Sequence, residues 1–143
     1  MSTDQNTALV RRYFSECVAG VSGPDRDRAV SLVDKLLGPD FEMLYNSDTD
    51  AEAIRGRERH KEFLVGHAET FPDDHWTLET LVADGETVAC HRHLQSSHAE
   101  TGNSIDVRAA DFFTVRDGQL TALRRFLDFA GLRRQMRARS GAA

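Results

Sequence analysis

The chain has 143 residues, 40% of them apolar and 29% charged, which is the balance of one globular domain with room for a core or an internal pocket. Its net charge of -5 argues against a nucleic-acid binder, and no run of about 18 apolar residues is present to span a membrane. The N-terminus MSTDQNTALVRR lacks the basic-then-apolar pattern of a secretory leader, and Cys17 and Cys90 read as free buried thiols, so a cytoplasmic location is expected.

Leu9, Val10, Tyr13, Phe14, Cys17 and Val18 recur at helical spacing and predict a helix over about 5–19. Residues 20–24 break it. A second helix follows over about 25–37, with Ala29, Val30, Val33, Leu36 and Leu37 as its stripe, stopped by Gly38-Pro39. Residues 41–45 read as a short strand with Phe41, Met43 and Tyr45 on one face. A polar loop over 46–53 leads to a third helix over about 56–69.

Four strands are then predicted at about 76–83, 87–97, 104–115 and 120–128. Asp84-Gly85 and Asp117-Gly118 serve as hairpin turns. A short basic tail from about 133, with Arg133, Arg134, Arg137 and Arg139, reads as a frayed helix with a solvated face. No internal repeat or linker divides the chain. Helices first and an antiparallel meander after give a single α+β domain over 1–143.

Two carboxylates stand out in the last hairpin. Asp111 precedes Phe112 and Phe113, and Asp128 lies between Leu127 and Phe129. Aspartate is poor in strand interiors and costly to bury unpaired, so the pair points to a cavity where carboxylates do chemistry. Facing an apolar cavity, Asp128 would have a raised pKa and could shuttle a proton. Alternatively it caps the C-terminal segment or pairs with Arg124 or Arg125. Asp111 is either a neutral hydrogen-bond donor or the partner of Arg92 or Arg108.

His91 and His93 share one strand face, with Cys90, Arg92 and Leu94 on the other. A third ligand is wanting, so no metal is expected. If Arg92 faces the cavity, the two histidines face outward. His98 is a second candidate proton carrier, or a solvated loop histidine. Phe41, Met43, Phe63, Trp76, Phe113 and Phe126 are candidate pocket residues.

This order of elements resembles the nuclear transport factor 2-like fold, and more closely its ketosteroid isomerase and SnoaL-like polyketide cyclase branches. The residues that carry the resemblance are TALVRRY over 7–13, DFFTV over 111–115 before a glycine turn, GETVA over 85–89 with Ser96-Ser97-His98, and FLD over 126–128 with Gly131, Leu132 and Gln135. It implies a cone-shaped, curved, mostly antiparallel sheet packed on N-terminal helices around an apolar pocket. It also implies acid–base catalysis without a cofactor on a hydrophobic small molecule, as a cyclase or isomerase of polyketide-type metabolism. Tyr13 and Asp111 match the isomerase's oxyanion tyrosine and aspartic acid, and Asp128 matches the cyclases' acid–base aspartate.

Two departures matter. The isomerase's base position is Tyr45, and tyrosine, with a pKa of about 10, is a poor base near neutral pH. The Arg-x-Asp pair of limonene-type epoxide hydrolases would begin at Arg92, but its partner position is Leu94. Epoxide opening, with Asp128 as base and Tyr45 or His98 as acid, remains an alternative, as does a non-catalytic ligand-binding or dimerisation module. The resemblance implies a homodimer formed through the outer sheet face.

Overall fold

The computed structural model describes residues 2–46 and 53–137. Four helices pack on one six-stranded sheet of order β2-β1-β6-β5-β4-β3, curved and unclosed. Helix α1 spans Thr3–Arg12 and starts with a capping box, in which Ser2 and the Gln5 side chain satisfy each other's backbone amides. It runs into a π-helical turn at Tyr13–Val18, closed by Ala19 N–H on the Phe14 carbonyl at 2.9 Å. A π-turn widens the helix, so Tyr13, Phe14, Cys17 and Val18 all point inward. Helix α2 spans Arg26–Leu36 with Asp25 as its N-cap, and α3 spans Arg57–Thr70.

Strand β1 runs over Leu37–Tyr45, beginning earlier than the periodicity predicts, because Leu37 turns directly from the helix into extended backbone. It pairs parallel to β6 (Gln119–Leu127) and antiparallel to the two-residue β2 (Ile54–Arg55). The predicted loop over 46–53 lies mostly outside the described residues. Strands β3 (His75–Asp84), β4 (Thr87–Ser97) and β5 (Ser104–Arg116) complete the antiparallel meander with β6. Asp117 and Gly118 both have positive φ, 51° and 77°, as a type I′ hairpin turn demands. Register shifts in the β3–β4, β5–β6 and β1–β6 pairings mark irregularities of the kind that bend a sheet.

Strand β5 alternates strictly. Ile105, Val107, Ala109, Asp111, Phe113 and Val115 face the helices, while the even residues face out. On β4 the inward set is Val88, Cys90, Arg92 and Leu94, which leaves His91 and His93 outside. His93 Nε2 lies 2.6 Å from Asp106, and His91 is near Glu79. Among the described residues no cluster of three metal-ligating side chains forms, and no helix is long and apolar enough to cross a membrane.

Helix α4, Phe129–Arg137, lies across the open end of the sheet. Asn103 donates to the carbonyls of Gln135 and Met136, and the Gln135 amide exchanges hydrogen bonds with the Asp106 backbone. Leu132 and Met136 pack on Phe71, Leu94, Ile105 and Val107. The basic tail is thus helical as far as Arg137; its remainder lies outside the described residues.

Candidate functional site

Between α3, the concave sheet face and α4 lies a pocket of about 720 Å³. Its wall is mostly apolar: Phe63 and Phe71 from the helical side, Trp76, Leu94 and Val107 from the sheet, Leu127, Phe129 and Leu132 at the end that α4 covers. Five polar side chains interrupt it, those of Tyr45, Asn46, His67, Arg125 and Arg133. An apolar cavity with a few convergent polar groups is the usual form of a small-molecule site.

The strand register explains the polar end. Cys90, Asp111, Arg125 and Tyr45 are successive cross-strand partners, one row over four strands. Arg125 grips Asp111 edge-on, Nε to Oδ1 at 2.9 Å and Nη2 to Oδ2 at 3.1 Å. Arg92, one inward position along, donates from Nε to Asp111 Oδ2 at 2.8 Å. Its register partner is the small Ala109, which leaves space for the guanidinium. The ring of Trp76 lies 3.6 Å from the Arg92 guanidinium carbon and that of Phe14 lies 4.4 Å away, an arrangement favourable to a buried cation.

Burial alone would raise the pKa of Asp111, but Arg125 and Arg92 outweigh it and hold the carboxyl below its ordinary value. Asp111 is therefore an ionised partner of two arginines, not a neutral donor. Burial lowers Arg125, but Asp111 raises it further, so its net shift is upward. Burial and then Arg125 pull Arg92 down to about 10. Burial also raises Tyr45, whose hydroxyl accepts from Arg125 Nη1 at 3.4 Å.

A second polar group lines the same pocket. His67 Nε2 sits 2.6 Å from Asp74 Oδ2, with the side chains only 19% and 4% exposed. The imidazole stacks on Trp76 with centroids 6.4 Å apart, and Phe71 lies 5.0 Å from it. Deeper still, His60 Nε2 is 2.7 Å from the Tyr13 hydroxyl. Burial, with Arg125 nearby, lowers His60 to about 3 and keeps it neutral.

The other residues singled out in the sequence are placed as follows. Asp128 lies just beyond β6 and is exposed; its Oδ1 accepts from Gly131 N–H at 2.9 Å and so caps α4. A Cβ on Gly131 would collide with that carboxylate. Asp128 does not line the pocket: the inward parity of Leu123, Arg125 and Leu127 turns Arg124 and Phe126 outward, and Asp128 continues that outward set at the end of the strand. The same parity puts Phe126 outside, 39% exposed and in edge contact with Phe112. Tyr13 is fully buried with its hydroxyl on His60, and its pKa is raised by burial. His98 is buried in the β4–β5 turn with Nδ1 2.9 Å from Thr101 Oγ1, away from the pocket wall. Phe41, Met43 and Phe113 are core residues behind the wall, whereas Phe63, Trp76 and Tyr45 line it.

The sequence pointed to none of His67, Asp74 and His60, and to Arg125 only as a partner of Asp128. The signal for two of them is present: His60, Phe63, Leu64, His67 and Phe71 follow i, i+3, i+4, i+7, i+11, the inward stripe of α3.

A SnoaL-like domain profile matches residues 10–123. A search of curated proteins returned no match. Solved structures share the fold at low identity. A protein from Jannaschia sp. CCS1 named as a SnoaL-like polyketide cyclase is 22% identical, with a TM-score of 0.81 over 96% of this chain and 95% of that one. An epoxide hydrolase of the limonene-hydrolase-like type from M. tuberculosis is 20% identical, with a TM-score of 0.69 over 94% and 93%. A protein from Kribbella flavida named as a ketosteroid isomerase is 22% identical, with a TM-score of 0.63 over 88% and 79%.

Proposed function

The chain belongs to the SnoaL-like domain family, and from that premise we propose that it is an enzyme that moves a proton on an apolar carbonyl compound, as a cyclase or isomerase of polyketide-type metabolism working without a cofactor. The observation that carries the reading is the His67–Asp74 pair, held at 2.6 Å in the wall of the 720 Å³ apolar pocket. Asp74 fixes the orientation of the imidazole. With Nε2 committed to Asp74, Nδ1 is the atom available to take a proton from carbon next to the substrate carbonyl. The oxyanion that develops is stabilised by the Tyr45 hydroxyl and Arg125 Nη1. Return of the proton at another atom completes an isomerisation, and attack of the enolate on a second carbonyl completes a cyclisation. The acid–base role that the resemblance gave to Asp128 passes to His67, and the donor role of Asp111 passes to Tyr45 and Arg125.

The test is solvent deuterium exchange at the activated methylene of 2-tetralone, an apolar ketone of suitable size, followed by proton NMR. The protein should accelerate exchange over buffer, and His67→Gln should lower the rate by about 10²- to 10⁴-fold, the usual contribution of a positioned acid–base group. Equal rates for the two proteins would refute the assignment.

Epoxide opening has less support, because Asp128, its expected base, caps α4 outside the pocket wall, and the Asp111 carboxylate is tied to both Arg92 and Arg125. That same tie supports a second reading, a ligand-binding module; no protein-dependent exchange with any carbonyl probe would favour it. A second copy of the chain, covering the outer sheet face at Phe112 and Phe126, is proposed as the partner.

A further inference from the structure

The buried polar centre is unbalanced. Arg92, Arg125 and Asp111 are 0%, 5% and 0% exposed, and they amount to two cations and one anion. A second carboxylate nearby, Asp74, hydrogen-bonds His67 and pairs with neither arginine. Arg92 spends only its Nε on Asp111; Nη1 and Nη2 are both buried and find no hydrogen-bond partner among the described residues. A buried cationic donor without a partner is costly, yet the Trp76 and Phe14 rings hold this one in place.

Arg92 also borders a small internal space. Arg92 lines a cavity of about 10 Å³ together with Tyr13, Phe63, His67, Trp76 and Arg125. Four of these, Phe63, His67, Trp76 and Arg125, also line the large pocket. The two spaces therefore share four wall residues, and a shift of the Phe63 side chain is the movement that the proposal requires to open the Arg92 edge to the large pocket. The two Nη groups of a guanidinium form a planar edge that matches the two oxygens of a carboxylate.

We propose that the natural ligand of this pocket is an apolar molecule bearing a carboxylate, which docks on the free Nη edge of Arg92 while the apolar remainder fills the 720 Å³ pocket. This inference rests on the reading of that pocket as a small-molecule site and adds the substrate class. The anion satisfies the two unpartnered Nη groups and places a second carboxylate against the two guanidiniums. It also gives the site a preference for the anion that the aromatic wall cannot provide, because an apolar surface disfavours an unpaired charge. Arg133 at the pocket's mouth is exposed and solvated, so it attracts an anion only weakly.

Trp76 is the only tryptophan in the chain, and it touches Arg92 and lines both cavities, so its fluorescence reports directly on this edge. Titration with 3-phenylpropionate and with 3-phenylpropionamide, which differ only in the charged head, tests the proposal. The acid should bind about ten- to a hundredfold tighter than the amide, the range of a charge-assisted pair. Arg92→Met should abolish that preference while amide binding persists, and amide binding also shows that the variant is folded. Arg133→Gln should retain the preference. Equal affinity of acid and amide in the unaltered protein overturns the proposal without needing any variant. So does a preference that survives Arg92→Met or disappears with Arg133→Gln. Failure of the carbonyl-exchange experiment leaves this result standing, and failure here leaves proton transfer by His67 standing, so the two ideas fall separately.

Discussion

Arg125 and Asp111 meet edge-on across adjacent strands, with two parallel N–H···O contacts of 2.9 and 3.1 Å, and Asp111 carries Arg92 on the same carboxylate. One aspartate thus holds two guanidiniums beneath the pocket floor. Removing its charge strands both. Asp111→Asn should destabilise the fold by about 3–5 kcal/mol, the usual penalty for breaking a buried pair from one side. Urea unfolding followed by circular dichroism measures it, and a loss below about 1 kcal/mol would contradict the account.

Asp128→Asn should behave quite differently. Asparagine also caps helices well, so the expected loss is a few tenths of a kcal/mol, while Asp128→Ala should lose about 0.5–2 kcal/mol. Exchange on 2-tetralone should be unchanged in both variants. A large loss of exchange with Asp128→Asn and normal stability would return the acid–base role to that residue.

His60 should make stability depend on pH. It stays neutral in the fold, with its pKa drawn down to about 3 by burial and by Arg125. The unfolded chain takes up a proton at this group near pH 6.5 and the native state does not. Its contribution is thus complete above about pH 6.5 and is lost as pH falls from there toward 3, at up to about 1.4 kcal/mol per pH unit. Asp111 acts in the same direction at lower pH, since its folded pKa lies below the ordinary carboxylate value. Urea midpoints at pH 7.5 and 5.0 should differ accordingly. His60→Gln, which can still hydrogen-bond Tyr13, should flatten that difference, and an undiminished slope would argue against a neutral buried His60.

Asp74→Asn should lower the exchange rate on 2-tetralone by about 10- to 100-fold with little change in ligand affinity, because the imidazole loses the partner that orients it. Kinetics over a range of ketone concentrations separate the two effects. An increase confined to KM would make Asp74 a shaping residue instead.

The outer sheet face should join two copies of the chain. Phe112 and Phe126 are 44% and 39% exposed there, with ring centroids 6.0 Å apart. Sedimentation at micromolar concentration should give a dimer, and Phe126→Glu should give a monomer; a monomer before substitution would remove the proposal.

The sequence by itself determined the elements and the family. Strict alternation in β5, the helical stripes of α1 and α2, and the two turn signals are local properties that the backbone must obey wherever the segment lies. Period-two spacing alone also puts Arg92 on the opposite face of β4 from His91 and His93. Only the tertiary structure decided which face is inside. In β6 the same spacing separates Arg125 and Leu127 from Phe126 and Asp128. Each set mixes an apolar with a charged residue, so composition does not choose between them. Pairing to Asp111 does: it draws Arg125 inward, turns Phe126 and Asp128 outward, and leaves the aspartate that the sequence favoured capping a helix. The state of Asp111 is likewise set by neighbours from two other strands. The His67–Asp74 contact spans only seven residues but depends on how the chain turns between α3 and β3, and the unpartnered edge of Arg92 arises only when α1, β3, β4 and β5 are packed together, because it depends on distances between elements far apart in the chain.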